Sequence, residues 1–216
     1  MKKWKGIIFD LDGTLLDTLT DLANAVNAAL EMHGFPQRTL KEVRSFVGNG
    51  IAKLAERAIP DGRNNPMYEA VLADTRAEYA RRCRDNTAPY AGITDALGTL
   101  HDADYVMAVV SNKPDAQVKK LCKDFFPGLF AAAIGAREGV PLKPDPAPLM
   151  TAMQEIGCAP AECVYIGDSD VDILTARNAK IPCISVLWGF RDIEILTEAG
   201  GDCFAQSPAE MCALFL

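Results

Sequence analysis

Five short apolar runs set the tightest limit on how this chain can fold. Ile7 to Phe9, Val106 to Val110, Ala131 to Gly135, Val164 to Ile166 and Ile184 to Leu187 each read as a buried strand. Helical patterns over Pro114 to Asp124, Ala147 to Ile156 and Val171 to Ala179 separate the last four of them. Strands joined through crossover helices run parallel, and the helices cover both faces of the sheet. The expected fold is therefore α/β, a doubly wound parallel sheet, with Pro114 near a first helical turn where its missing N–H costs little.

One stretch breaks the alternation. Between Leu16 and Ala88 no strand is predicted, and Leu19, Leu22, Ala23, Val26, Ala29 and Leu30 recur at helical spacing. Leu40 to Phe46, Ile51 to Ile59 and Tyr68 to Cys83 read as helices too. At 216 residues the chain is long for one domain and short for two large ones. We therefore expect a catalytic core formed by residues 1–15 and 89–216, with residues 16–88 inserted as a helical cap. Such an insertion would act as a lid over the strand ends, hinged near Leu15–Leu19 and Asn86–Gly92.

Composition removes several function classes. A formal charge of −7 argues against a nucleic-acid or anionic-membrane surface, although it leaves room for a local phosphate site. Lys2, Lys3 and Lys5 lead directly into a strand rather than a signal core, and no apolar run approaches the ~20 residues of a membrane span. The seven cysteines are odd in number and contain no Cys-x-x-Cys pair, so neither a disulfide framework nor a zinc knuckle is suggested. A reducing, cytoplasmic setting is expected. His33 and His101 are the only histidines, too few for a multi-histidine zinc site, so any metal is expected on oxygen ligands.

The first strand ends in Asp10-Leu11-Asp12-Gly13-Thr14. Strand ends are where open α/β sheets carry chemistry, and residues i and i+2 of an extended segment point the same way. Two carboxylates there can divide two jobs, one attacking and the other moving a proton. Ser111-Asn112-Lys113-Pro114 brings a hydroxyl and backbone donors to a helix start, which suits an anion, although a capping serine would look the same. Lys143 opens Lys143-Pro144-Asp145-Pro146, where prolines stiffen the loop and direct the cation; a solvated lysine is the plainer alternative. Gly167-Asp168-Ser169-Asp170-Val171-Asp172 brings three carboxylates to another strand end, as a capped turn or as half of a Mg²⁺ site.

Within the insertion, Gly48-Asn49-Gly50 permits close backbone approach, and a helix beginning near Ile51 would present donors to an anionic group. An ordinary interhelical turn is the alternative. Arg44, Lys53 and Arg57 lie nearby, and the i,i+4 spacing of the last two reads as a solvated face.

Taken in order, Asp10-x-Asp12-Gly13-Thr14, Ser111, Lys143 and Gly167-Asp168-Ser169-x-x-Asp172 resemble the four motifs of the haloacid-dehalogenase-like hydrolase superfamily. The core is similar to that superfamily's Rossmann-like domain and the insertion to its small helical cap. Val47-Gly48-Asn49-Gly50, Ser111-Asn112-Lys113-Pro114, Lys143-Pro144-Asp145-Pro146 and Trp188-Gly189-Phe190-Arg191 resemble, more narrowly, its phosphoglycolate phosphatase group.

The resemblance implies a Mg²⁺-dependent phosphatase acting on a small phosphorylated metabolite. Asp10 would be the nucleophile, forming an aspartyl-phosphate, and Asp12 the acid and base. Lys143 would neutralise charge. Asp10, the backbone carbonyl of Asp12 and Asp168 would hold the metal, with Asp172 in support. Ser111, Asn112 and the Gly48-Asn49-Gly50 turn would contact the substrate. A pyrophosphatase, another small-metabolite phosphatase, a sugar-phosphate mutase and a non-catalytic phospho-ligand sensor remain open at this point, as does the oligomeric state.

Overall fold

The computed structural model describes residues 3–216; Lys2 lies outside the described residues. The chain divides into two compact units, one comprising the chain up to Leu16 together with Pro89–Leu216, the other Asp17–Ala88. In chain order the elements begin with β1 (Gly6–Phe9), β2 (Leu16–Asp17), α1 (Leu19–Met32), α2 (Leu40–Phe46), α3 (Ile51–Ala58), α4 (Tyr68–Arg82) and β3 (Ala88–Pro89). They continue with α5 (Ile93–Asp102), β4 (Val106–Pro114), α6 (Asp115–Phe125), β5 (Ala132–Ala136), α7 (Ala147–Glu155) and β6 (Cys163–Gly167). The last are α8 (Asp170–Asn178), β7 (Cys183–Val186), α9 (Ile193–Glu198), β8 (Phe204–Ala205) and α10 (Pro208–Ala213).

The first unit is built on a six-stranded sheet in the order β5-β4-β1-β6-β7-β8, with every pairing parallel. The expected α/β doubly wound sheet is what the chain forms. Its strands read as unbroken apolar runs because both faces are covered. Ile7, Phe9, Met107, Val109, Val164 and Ile166 pack into one core layer, while Ile8, Ala108, Val110 and Tyr165 pack into the other. That split follows from successive side chains on a strand pointing to opposite faces. From β1 the chain order runs outward to β4 and β5 and then returns to β6 on the other side of β1. The order reverses beside β1, which is where an open sheet of this kind leaves a crevice at its carboxyl ends.

Pro114 departs from the expectation. β4 continues to Pro114, whose ψ of 137° is extended, and α6 starts only at Asp115. A proline disfavours helical backbone in the residue before it, so Lys113 stays with the strand. The two-residue β8 was too short to stand out in the sequence, and α5, α9 and α10 were not singled out there.

In the second unit α1 packs on α4, and Leu22, Ala23, Ala25, Val26, Ala29 and Leu30 form the buried stripe of α1. Thr39 starts α2 with a reciprocal capping box, its hydroxyl accepting from the Glu42 N–H while the Glu42 carboxylate accepts from the Thr39 N–H. Asp21, 1% exposed, accepts hydrogen bonds from the backbone and side chains of both Asn86 and Thr87, tying α1 to the returning chain. Among the described residues no helix is long and apolar enough to cross a membrane. All seven cysteines are free thiols.

Candidate active site

Four strand ends bring the predicted core residues together. Asp10 follows β1 and is positioned by its own N–H donating to the Ile166 carbonyl at 2.8 Å. Its Oδ1 accepts from the Leu11 N–H at 2.7 Å and lies 3.0 Å from Lys143 Nζ. Lys143 is 4% exposed, which excludes the solvated alternative. Its ammonium has three donors and three partners: Asp10 Oδ1, Asp172 Oδ1 at 2.7 Å and the Tyr165 hydroxyl at 2.8 Å. Burial alone would discharge Lys143, but Asp10 and Asp172 outweigh that cost and hold its charge more firmly than in water.

Both carboxylate oxygens of Asp172 are engaged within the fold. Oδ1 accepts from Lys143 and lies 3.0 Å from the Tyr165 hydroxyl; Oδ2 accepts from the Ser169 N–H at 3.1 Å and hydroxyl at 2.6 Å. It therefore aims Lys143 and caps α8. Tyr165, absent from the sequence-based site, completes this group; a tyrosine inside a buried strand signals a hydroxyl that must find partners.

Asp168 sits in a cage made by two glycines. Gly13 has a φ of +86°, and a Cβ there would lie 2.3 Å from Asp168 Oδ2. At Gly189 a Cβ would lie 2.3 Å from the Asp168 Cβ. Thr14 Oγ1 donates to Asp168 Oδ1 at 3.0 Å and the Phe190 N–H to Oδ2 at 2.7 Å. Trp188 Nε1 donates to the Thr14 carbonyl at 3.0 Å. The Trp188-Gly189-Phe190-Arg191 segment thus has a definite task in seating Asp168, which its sequence alone did not disclose.

Ligand oxygens of Asp10, Asp168 and Asp172 lie within 4.8 Å of one another, close enough to hold one cation. With both Asp172 oxygens engaged by Lys143 and Ser169, Asp10 and Asp168 are the members best placed to do so. Burial, then Asp172, pushes Asp168 up to about 7. Burial also drives Asp10 well above the ordinary carboxylate range, against the opposing pull of Lys143. Both shifts have the same origin: too much negative charge in a dry site, which a hard cation with oxygen ligands relieves.

Asn112 does not present its side chain to this centre. Its amide braces the neighbouring loop, Nδ2 donating to the Lys143 carbonyl at 3.0 Å and Oδ1 accepting from the Lys143 N–H at 2.8 Å. Ser111 is buried, and its hydroxyl accepts from the Lys113 N–H at 3.3 Å. In the sequence, Lys113 is one member of the Ser111-Asn112-Lys113-Pro114 motif with no task of its own. In the structure its Nζ reaches both carboxylate oxygens of Asp12, at 2.6 and 2.8 Å.

In the second unit, Gly48 and Gly50 both take positive φ, 118° and 82°, and Gly50 is the N-cap of α3. Arg57, half-buried, does more than line a solvated face: its guanidinium donates to the Phe46 carbonyl at 2.7 Å and to Asn49 Oδ1 at 2.9 Å, bracing the 47–50 turn. Lys53, in contrast, pairs with Glu56 at 2.6 Å on the helix surface.

Comparison with known proteins is consistent in one direction. A phosphoglycolate phosphatase of Chromobacterium violaceum is 34% identical over 98% of this chain and 96% of its own length. One from Pseudomonas putida is 35% identical over 85% of this chain and 70% of its own. A solved structure from Lactobacillus delbrueckii subsp. bulgaricus, provisionally assigned as a phosphoglycolate phosphatase, superposes with a TM-score of 0.94 at 33% identity, covering 100% of this chain and 99% of that one. The family model for haloacid dehalogenase-like hydrolases matches residues 7–186, from the first strand to the seventh and across every core motif. The chain belongs to the haloacid dehalogenase-like hydrolase family.

Proposed function

We propose that the protein is a Mg²⁺-dependent phosphomonoesterase that works through an aspartyl-phosphate on Asp10, with 2-phosphoglycolate as its preferred substrate. The observation that carries this reading is the buried set of Asp10 and Asp168, at the ends of the neighbouring strands β1 and β6, with Lys143 brought beside Asp10 by the loop that follows β5. The relatives named above support the choice of substrate. A cytoplasmic setting agrees with the seven free thiols.

Both close contacts of Asp10 fall on Oδ1, which leaves Oδ2 to attack phosphorus. The P–O bond to the alcohol breaks as the Asp10–P bond forms, and Asp12 protonates the departing alkoxide. Water then attacks the phosphorus of the aspartyl-phosphate, its proton passes to Asp12, and Asp10 is released as a carboxylate. Lys143 neutralises charge on Asp10 and the phosphoryl oxygens, while the Ser111 hydroxyl and the Asn112 N–H are proposed donors to the same oxygens. Mg²⁺, when bound by Asp10, Asp168 and the Asp12 carbonyl, supplies the positive charge that lets an anionic nucleophile meet an anionic ester. Phosphate monoester hydrolysis requires accelerations up to ~10²¹-fold, so these groups must act together.

The residue 17–88 unit is proposed as a cap, and its Gly48-Asn49-Gly50 turn as the selector of the alcohol portion. The resemblance and the donors of the turn support that assignment. A panel of 2-phosphoglycolate, pyrophosphate, hexose phosphates and nucleoside monophosphates, assayed with Mg²⁺, tests it. 2-Phosphoglycolate is expected to give the highest kcat/KM. Preference for pyrophosphate would replace the substrate, conversion of a hexose 1-phosphate without phosphate release would indicate a mutase, and inactivity on every ester would indicate a sensor.

A further inference from the structure

The geometry points to Lys113 as the positioning residue for Asp12, an assignment that rests on the acid/base role proposed above for that aspartate. Lys113 is the penultimate residue of β4, and its side chain is only 2% exposed. Such deep burial of an ammonium needs a partner, and the Asp12 carboxylate, itself 15% exposed, supplies one through both oxygens. The placement comes from the strand end: β4 and β5 slip register between Val110 and Pro114, an irregularity of the kind that re-aims side chains.

A two-oxygen contact does something that a single hydrogen bond would not. An aspartate acting as acid and then as base must carry a proton on one oxygen in the first half-reaction and none at the start of the second. With a proton on one oxygen, the other still accepts from Nζ, so the carboxyl group stays aimed throughout. Lys143 cannot take this role, since its three donors are committed to Asp10, Asp172 and Tyr165. The site therefore contains two buried lysines with separate tasks, one serving the nucleophile and one serving the proton carrier.

The reading predicts a defect that depends on the leaving group. kcat/KM covers steps through departure of the alcohol; an alkoxide needs a well-placed proton there and p-nitrophenolate scarcely does. Lys113→Met should lower kcat/KM by about 10- to 100-fold for 2-phosphoglycolate, or for whichever alkyl phosphate the panel ranks first, and by less than about threefold for p-nitrophenyl phosphate. Lys113→Arg, which keeps a cation able to grip both oxygens, should recover much of the loss. In an Asp12→Asn background, Lys113→Met should change the residual rate on the alkyl ester by less than about twofold, because its route of action is already gone.

Equal losses on both esters, or full multiplication of the two defects, would overturn the proposal and assign Lys113 a structural or substrate-contact role. Lys113→Gln serves if the methionine variant does not fold, and failure of both to fold would also establish a structural role. Near-wild-type activity of Asp12→Asn on the alkyl ester would instead remove Asp12 from the mechanism, a result distinct from failure of the Lys113 assignment alone.

Discussion

Asp168 is held between two glycines, two hydrogen bonds and a neighbouring carboxylate, and its protonation follows from that position. Burial, then Asp172, pushes it up to about 7, above an unfolded value near 3.9. In the metal-free protein the folded state therefore retains a proton that the unfolded state has lost, so this group's contribution to stability falls as pH rises between about 4 and 7. A cation held by the deprotonated carboxylate, as proposed above, would reverse the penalty. Thermal melts with and without Mg²⁺ should show a larger metal-induced rise in Tm at pH 8 than at pH 6, abolished in Asp168→Ala. An equal rise at both pH values would argue against Asp168 as a ligand. This behaviour could not be read from the sequence, which shows Asp168 at a strand end but not the Gly189 backbone closing over it.

At the scale of elements, the turn before α3 shows how a side chain dismissed on spacing acquires a task. Lys53 and Arg57 are equivalent in a helical pattern, yet Lys53 pairs on the surface while Arg57 grips the Phe46 carbonyl and Asn49. Periodicity gives a face, and only the folded turn shows which side chain meets a carbonyl. Arg57→Ala should raise KM for 2-phosphoglycolate by roughly 3- to 10-fold, the size of one or two lost hydrogen bonds, with a smaller change for p-nitrophenyl phosphate. Equal changes for both esters would dissociate the turn from selectivity. Gly50 is a poorer probe, because its φ of 82° makes any larger residue strained whether or not a ligand is present. The end of the insertion depends on Asp21, whose carboxylate organises Asn86 and Thr87. Asp21→Ala leaves the buried N–H and hydroxyl of Thr87 unpaired and should lower the unfolding free energy by about 2 to 3 kcal/mol in urea titrations. A loss below about 1 kcal/mol would show that the junction is held by other contacts.

For the whole molecule, the apolar runs were sufficient to define five of the six strands of the sheet, because strands covered on both faces leave an uninterrupted hydrophobic signature. The same logic failed at β8, where two residues carry no pattern, and at Pro114, where ring geometry prolongs the strand. The strand-end carboxylates and Lys143 were legible as motifs. Their supporting partners, Tyr165, Lys113, Phe190 and the glycines around Asp168, come from distant segments and are brought in by the fold alone. Asp10 is the proposed nucleophile, and the most direct measurement of that role is the rate of phosphate release from 2-phosphoglycolate by wild-type protein and Asp10→Asn, both with saturating Mg²⁺. An amide of nearly unchanged size cannot form the aspartyl-phosphate, so a folded Asp10→Asn should lose turnover by several orders of magnitude. Release by that variant at more than about a tenth of the wild-type rate would contradict covalent catalysis by Asp10.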